Sequence, residues 1–260
     1  IERPVAVENL HDIVEASDVL LVARGDLGVE MDVAVVPLIQ KQIVTLARRY
    51  GRPVIVATQM LQSMIESSSP TRAESSDVAN AILDGADAVM LSGETAIGEH
   101  PALVVETMDR IARKTEEYSD LQPPVESAFP ASPGRSRWMP ALARGAWRIA
   151  EDLKVDFVAA YSCTGESARL LSREGIRVPI LVLSDDLSVC RRMQILRGVI
   201  AIQVDRPEDR GAFRQEVQTH LRAVFNARTG ATCLAVSPPR FDEPGLVDGL
   251  EVLQIQDGSS

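Results

Sequence analysis

Four polar residues in the first half of the chain stand where short apolar runs end. They are Glu2, Asp26, Thr58 and Ser92. Each has a simple structural explanation: a solvated terminus, a turn residue, a strand-end hydroxyl and a helix cap, respectively. For any one residue that explanation is favoured, but four residues at the same kind of position together favour a shared site.

The two carboxylates of this set, Glu2 and Asp26, indicate the chemistry that such a site could perform. Like charges close together in a partly dry cleft repel each other unless a cation lies between them. Mg²⁺ prefers oxygen ligands and usually binds through one or two carboxylates, which leaves room for water and for a substrate phosphate. We therefore predict that Glu2 and Asp26 bind a divalent cation, Mg²⁺ or Mn²⁺.

Three apolar runs must position these residues. The runs cover residues 19–23, 54–57 and 88–91. About 35 residues separate their starts, which is the length of one strand, one helix and two loops. Helical apolar spacing is found over 36–49, 76–83 and 101–117. Runs this uniformly apolar are typical of strands buried on both faces of a parallel α/β sheet.

The carboxyl ends of parallel strands all lie on one side of a sheet. In a closed barrel, side chains from different strands converge on a ligand at that end. Asp26, Thr58 and Ser92 follow the three apolar runs, and Ile1 with Glu2 is similar to the tail of one more strand. This arrangement predicts that the four polar residues belong to one site.

Three long segments of this half resemble consecutive signature segments of the pyruvate kinases, in that family's order and spacing. They are "VARGDLGVE", "GRPVIVATQMLQSMI" and "PTRAESSDVANAILDGADAVMLSGETAIGEHP". The resemblance extends from Glu2 to about Glu117. It implies that residues 1–120 form the second half of a (β/α)8 TIM barrel, from the end of strand 5 to helix 8.

The resemblance also implies a reaction, in which a phosphoryl group moves from phosphoenolpyruvate to ADP to give pyruvate and ATP in glycolysis. It implies Mg²⁺ or Mn²⁺ at Glu2 and Asp26, and K⁺ with ligands outside this chain. The matching positions Ala23, Arg24, Gly25 and Asp26 would bind the substrate, with the Gly25 backbone close to its carboxylate.

Two further matching positions have implied catalytic roles. Thr58 would hold the substrate and act in the water-linked protonation of the enolate. Ser92, with Glu94, would form part of the same cleft wall.

The resemblance places several family elements before Ile1: a catalytic lysine, the nucleotide-binding residues and the first four barrel strands. The chain as given is therefore expected to be an incomplete and inactive part of a longer protein. One alternative is a non-catalytic pyruvate kinase-like protein for assembly or effector binding, although the four intact site residues argue against it. Another is an aldolase or lyase built on a phosphoenolpyruvate-type barrel, against which the segments "PTRAE" and "SGETA" speak.

The second half has its own α/β pattern. A linker rich in Pro, Ser and Ala is predicted over 121–137, followed by a small doubly wound α/β domain over 138–260. Strands are predicted over 157–161, 180–183, 199–204, 232–236 and 250–255, and helices over 140–153, 167–173, 187–196 and 207–226. The order of these elements resembles the C-terminal domain of the pyruvate kinases.

One loop of this half could bind a phosphate group. Its candidate residues are Ser162, Thr164, Gly165 and Ser167, at a predicted helix N-terminus. A well-capped helix explains the same residues equally well. The resemblance implies a sugar-phosphate effector. Because Glu166, Asp242 and Glu243 lie in the two loops around such a ligand, a singly phosphorylated sugar is expected to bind in preference to a bisphosphate.

Composition limits the partners of the protein. The 260 residues have a formal net charge of −10, so no general cationic field favours nucleic acid or an anionic membrane. The sequence shows neither a membrane-spanning apolar run nor a secretory signal, which predicts a cytoplasmic protein. For the full-length protein the resemblance implies a homotetramer.

Overall fold

The computed structural model of the protein describes residues 1–120, 138–242, 247 and 249–256. The linker predicted over 121–137 and Glu243 of the predicted effector site lie outside these residues. The chain divides into two compact units, Ile1–Val125 and Glu126–Ser260. Each unit has its own sheet and its own apolar core.

The first unit contains a three-stranded parallel sheet. Its strands are β1 (Leu20–Ala23), β2 (Val54–Ala57) and β3 (Ala88–Met90), hydrogen-bonded in the order β1-β2-β3. The predicted second strand is confirmed, while the first and third are each one residue shorter than predicted. Val19 precedes β1 and is 41% exposed, so the buried part of the run begins at Leu20.

The three strands end at the same level of the sheet. Ala23 pairs with Ala57, and Ala57 pairs with Met90. Ile1 continues this arrangement on the other side of β1: its amino group donates to the Leu21 carbonyl at 2.6 Å, and its carbonyl accepts from the Ala23 amide at 3.0 Å. This is the pairing pattern of a parallel strand, as predicted for a strand tail at Ile1.

The described residues of this unit also form eight helical segments. They are α1 (Pro4–Glu8), α2 (Leu10–Ala16), α3 (Arg24–Glu30), α4 (Val36–Tyr50), a 3₁₀ helix (Gln62–Ile65), α5 (Arg72–Asp84), α6 (Gly93–Ala96) and α7 (Pro101–Asp120). Helix α4 has Pro37 in its first turn, buries Ile39 and Ile43, ends at Tyr50 and is capped by Gly51 in the left-handed conformation. Its length agrees with the prediction to one residue at the C-terminus.

Helix α5 begins at Arg72 rather than at residue 76 as predicted. The cause is a capping box formed by Thr71 and Glu74. The Thr71 hydroxyl accepts from the Glu74 amide at 3.2 Å, and the Glu74 carboxylate accepts from the Thr71 amide at 2.7 Å. Two amide groups of the first turn thereby gain partners, which allows the helix to start earlier than its apolar pattern does.

The second unit is a five-stranded sheet with helices on both faces. Its strands are β4 (Phe157–Tyr161), β5 (Ile180–Ser184), β6 (Val199–Gln203), β7 (Thr232–Ser237) and β8 (Gly249–Gln254), in the order β6-β5-β4-β7-β8. Its helices are α8 (Trp138–Leu153), α9 (Glu166–Arg173), α10 (Leu187–Met193) and α11 (Arg210–Phe225). The first four strands pair in parallel, whereas β8 runs antiparallel beside β7.

Two apolar clusters lie on the two faces of this sheet. One packs α8, α9 and α10 against residues such as Val158 and Val182, and the other packs α11 against Tyr161 and Leu183. The strand order reverses direction between β4 and β7, which is the position where ligands bind in doubly wound folds. The loop from Ser162 to Ser167 follows β4 at this position.

No helix within the described parts of the chain combines the length and apolar character needed to cross a bilayer.

Candidate active site

The ends of β1 and β2 are joined by a hydrogen bond between two of the predicted substrate-binding residues. The Gly25 amide donates to the Thr58 hydroxyl oxygen at 2.8 Å. Gly25 lies in the first turn of α3, immediately after β1, and Thr58 is the first residue after β2. The structure therefore brings these two residues together, although 33 positions separate them in the sequence.

Glycine at position 25 allows this close approach. A Cβ atom at this position would lie 3.0 Å from the Thr58 hydroxyl oxygen, closer than such atoms normally pack. A larger residue would have to displace the hydroxyl or the start of α3. The glycine that interrupts the apolar pattern after β1 is thus explained by its contact with the neighbouring strand end.

Thr58 and Gln59 adopt a backbone conformation that is rare for their residue types. Their φ angles are 68° and 55°, in the left-handed region. For a β-branched residue such as threonine this is a true outlier, and such residues persist only where surrounding contacts hold them. The sharp change of direction after β2 brings the Thr58 hydroxyl to the Gly25 amide.

Arg24 holds this bend with its side chain. Its Nη2 atom donates to the Thr58 carbonyl oxygen at 2.9 Å, and its Nη1 atom forms an ion pair with Asp77 of α5 at 2.6 Å. The Arg24 side chain is 11% exposed. Sequence reasoning predicted Arg24 as a substrate-binding residue but did not identify Asp77, its partner 53 positions away.

The loop after β3 contains Ser92 and Glu94. Ser92 occupies the N-cap position of α6, but its hydroxyl makes no capping hydrogen bond, so helix capping does not explain this side chain. Glu94 is 1% exposed and accepts hydrogen bonds from the backbone amides of Leu61 at 3.1 Å and Ser92 at 2.8 Å. The cleft wall predicted at Ser92 and Glu94 thus includes a buried carboxyl group tied to two loops.

The predicted metal ligands, Glu2 and Asp26, are both exposed. Glu2 follows Ile1, which pairs beside β1, and Asp26 lies in the first turn of α3. Among the described residues no group of three or more His, Cys, Asp or Glu side chains could hold a metal ion.

A cavity of about 820 Å³ adjoins the strand ends between α3, α4 and α5. Arg24, Gly25 and Gln59 contribute to its lining, whereas Asp26 and Thr58 do not. Two of the five predicted substrate-binding residues, Arg24 and Gly25, therefore line this cavity together with residues of the surrounding helices.

The predicted effector loop is held by short-range hydrogen bonds. The Ser162 hydroxyl accepts from the Gly165 amide at 3.0 Å, and the Thr164 hydroxyl accepts from the Glu166 amide at 3.4 Å. Gly165 has a φ of 86° at the N-cap of α9, and a Cβ atom there would lie 2.5 Å from the Met193 sulfur. Ser167 lies in the first turn of α9.

Acidic side chains near this loop already have basic partners. Arg240 forms two hydrogen bonds with the Asp242 carboxylate, at 3.1 and 2.8 Å, and this contact keeps the pKa of Asp242 below its usual value. On the next strand end, Arg206 forms an ion pair with Asp185 at 2.5 Å. Arg240 is therefore engaged with a carboxylate of its own loop.

Comparison with known proteins identifies both units. A family model described as the pyruvate kinase barrel domain matches residues 1–105, and one described as the pyruvate kinase alpha/beta domain matches residues 140–252. These matches, with the parallel strand pairs seen in both units, confirm the predicted partial barrel followed by a small α/β domain.

Individual relatives agree with these matches. A pyruvate kinase of Agrobacterium vitis is 41% identical over 98% of this chain and 52% of its own length. One from Corynebacterium efficiens is 42% identical over 92% of this chain and 49% of its own length, and one from Thermotoga maritima is 37% identical over 79% and 43%. The chain spans about half the length of the curated relatives it matches. The chain belongs to the pyruvate kinase family.

Proposed function

We propose that the full-length protein containing this chain is a pyruvate kinase, which transfers a phosphoryl group from phosphoenolpyruvate to ADP in glycolysis. One observation carries the proposal: the Gly25 amide and the Thr58 hydroxyl meet at 2.8 Å across two aligned strand ends, within the stretch matched by the barrel-domain model. This is the end of the sheet at which barrel enzymes bind their substrates.

Glu2 and Asp26 would hold the divalent cation, Mg²⁺ or Mn²⁺. Both are exposed carboxylates, and a pair of oxygen ligands suits Mg²⁺ when water and substrate complete its coordination. When bound, the ion would neutralise negative charge on the transferring phosphoryl group and on the substrate carboxylate.

The residues 23–26 and 58 would position the substrate. Ala23 ends β1 and α3 begins at Arg24, so the substrate would lie beside the first turn of α3, where the Gly25 amide donates to the Thr58 hydroxyl. Thr58 would orient the substrate and take part in protonating the enolate, because its hydroxyl lies at the junction of two strand ends. Ser92, whose hydroxyl makes no capping bond, would contribute from the end of β3.

The remaining parts of the reaction would come from the rest of the protein. ADP, ATP and K⁺ would bind to residues outside this chain. The lysine that neutralises the phosphoryl group would also lie outside it. A homotetramer and a cytoplasmic location are part of the same proposal. In the first unit, the apolar residues Val29 and Val33 are 85% and 74% exposed, and they would suit burial against another copy of the chain.

A lactate-dehydrogenase-coupled assay tests the proposal. We expect the full-length protein to convert phosphoenolpyruvate and ADP to pyruvate in the presence of Mg²⁺, and residues 1–260 alone to show no turnover. Direct addition of pyruvate to each reaction controls for the coupling enzyme. Turnover by residues 1–260 alone would contradict the proposed division of the site, and no turnover by the full-length protein would favour the non-catalytic alternative.

We also propose that the loop after β4 binds a sugar monophosphate effector. Its position between β4 and β7, at the N-terminus of α9, supports this proposal. Because Arg240 is engaged with Asp242, a second phosphate would gain little charge-assisted binding from it. Calorimetric titration of the full-length protein should show tighter binding of glucose 6-phosphate than of fructose 1,6-bisphosphate, and the opposite order would contradict the proposal.

A further inference from the structure

A buried carboxyl group connects the loops that follow β2 and β3. The two oxygens of Glu94 accept separately, Oε1 from the Leu61 amide at 3.1 Å and Oε2 from the Ser92 amide at 2.8 Å. Leu61 is 0% exposed and Glu94 is 1% exposed, so water cannot replace these bonds. One side chain therefore fixes the distance between two strand-end loops.

The loop after β1 holds the same segment from its other end. Gly25 donates to the Thr58 hydroxyl at 2.8 Å, and Arg24 donates to the Thr58 carbonyl at 2.9 Å. Thr58, which makes these contacts, and Gln59, which follows it before Leu61, are both in the left-handed region. A pair of non-glycine residues in this conformation needs restraint from its surroundings, and these contacts supply restraint at both ends of the segment.

We infer that Glu94 is a positioning residue that sets the orientation of the Thr58 hydroxyl from the loop after β3. Glu94 does not contact Thr58 directly, and it acts through the Leu61 backbone. The inference rests on the proposed function, in which the Thr58 hydroxyl contacts the substrate. It assigns to Glu94 a part in the reaction that needs no contact with the substrate.

The variant Glu94→Gln tests this role with little change in volume. A glutamine side chain offers one oxygen acceptor and one NH₂ donor, so only one of the two backbone amides keeps its partner. The other amide faces a second donor. The Leu61 segment should then shift, and the strained backbone at Thr58 should relax.

Glu74→Gln is a matched control. The Glu74 carboxylate also accepts from two backbone amides, those of Ser63 at 2.6 Å and Thr71 at 2.7 Å. It joins the 3₁₀ helix to the start of α5 and makes no bond to the loops after β1 or β3. Both variants lose an acceptor for a backbone amide of the loop after β2, but Glu94→Gln releases Leu61, which precedes the 3₁₀ helix on the side of Thr58, whereas Glu74→Gln releases Ser63 within that helix.

In the full-length protein we expect Glu94→Gln to lower kcat about tenfold or more, because small displacements of a positioned group reduce turnover by such factors. KM for phosphoenolpyruvate should change less than kcat. Glu74→Gln should lower the melting temperature and leave kcat within about twofold of the wild type. A decrease in melting temperature without a loss of kcat in Glu94→Gln would overturn the inference.

A double-mutant cycle with Thr58→Ala separates this inference from the proposed function. If Glu94 acts through Thr58, Glu94→Gln should cause less than about a twofold further loss in the Thr58→Ala background. Independent, multiplying losses would overturn the positioning role. Wild-type turnover in Thr58→Ala would contradict the proposed role of Thr58 and, with it, the inferred role of Glu94.

A crystal structure of the Glu94→Gln full-length protein gives a readout that does not depend on activity. The expected result is that Thr58 and Gln59 leave the left-handed region or lose order. An unchanged backbone with φ still near 68° at Thr58 would overturn the inference even if the enzyme proved to be a pyruvate kinase.

Discussion

The two units use strand-end hydroxyl groups in different ways. In the first unit, the Thr58 hydroxyl accepts from Gly25 on the neighbouring strand end, 33 positions away. In the second unit, the Ser162 hydroxyl accepts from Gly165, only three positions along the same loop. The geometry of the first site therefore depends on the correct pairing of β1 and β2, whereas the loop after β4 can form its turn locally.

The glycines in these contacts also differ. Gly25 does not have a positive φ. Glycine is needed there because another strand end approaches its backbone closely. Gly165 has a φ of 86°, and Met193 packs where its Cβ would be. The first glycine thus permits a tertiary contact, while the second permits both a local backbone conformation and the packing of α10.

The largest expected effect concerns Asp26 in the full-length enzyme. Asp26→Asn keeps the shape of the side chain but removes one charge from the proposed metal pair, so Mg²⁺-dependent turnover should fall by about 100-fold or more. Asp32→Asn is the control, since Asp32 accepts from the Ala34 amide in a local turn at 2.9 Å. Turnover should be measured against Mg²⁺ concentration, and a normal Mg²⁺ dependence in Asp26→Asn would exclude this residue as a ligand.

The next effect concerns the stability of the second unit. Gly165→Ala forces a side chain into a left-handed conformation and places its Cβ 2.5 Å from the Met193 sulfur, so the free energy of unfolding should fall by about 2–4 kcal/mol. Gly198→Ala is the matched control: its φ is 72°, but nothing lies within 4 Å of the added Cβ.

The free energy of unfolding of Gly198→Ala should therefore fall by only about 1 kcal/mol, because only the left-handed backbone is strained. Urea unfolding of both variants gives the comparison. Equal losses would mean that Met193 moves aside without cost and that local backbone conformation alone makes glycine necessary.

A smaller effect, on activity, is expected from Gly25→Ala. The added Cβ would approach the Thr58 hydroxyl to 3.0 Å, so this hydroxyl should shift and kcat should fall by about tenfold. Gly28 lies in the same helix with nothing within 4 Å, and Gly28→Ala should be neutral or should stabilise by about 0.5–1 kcal/mol. If Gly25→Ala keeps wild-type kcat in the full-length enzyme, the close contact with Thr58 has no role in turnover.

Much of this architecture could be predicted because it is periodic. The strands of both units and the helix over 36–49 follow from uniformly apolar runs and from helical spacing, and they agree with the structure to within one or two residues. The grouping of Gly25 with Thr58 follows from a general rule of parallel sheets. This rule does not predict the hydrogen bond between the Gly25 amide and the Thr58 hydroxyl, because the orientation of the Thr58 side chain depends on its left-handed backbone.

Other contacts of the site were not predictable from the sequence, for identifiable reasons. The ion pair of Arg24 and Asp77 joins residues 53 positions apart, and no local pattern marks them as partners. Glu94 gives no sign of burial, because glutamate in a polar loop is usually exposed. By contrast, the capping box of α5 was detectable: Thr71 followed three positions later by Glu74 is its usual pattern, and it lies outside the apolar periodicity that defined the helix.

The smallest expected effect is the pH dependence conferred by Glu74. Burial alone would raise the pKa of Glu74, but hydrogen bonds from Ser63 and Thr71 outweigh it and lower the pKa below its ordinary value. A carboxyl group with a depressed pKa in the folded state contributes stability above its unfolded pKa, and this contribution is lost as the pH falls through the folded value. Glu74→Gln should therefore reduce the free energy of unfolding by about 1 kcal/mol near neutral pH. The difference from the wild type should shrink as the pH falls below the ordinary pKa of a glutamate carboxyl group. Urea unfolding across this range tests the prediction, and a difference that stays constant with pH would show that the capping geometry, and not the charge, provides the stability.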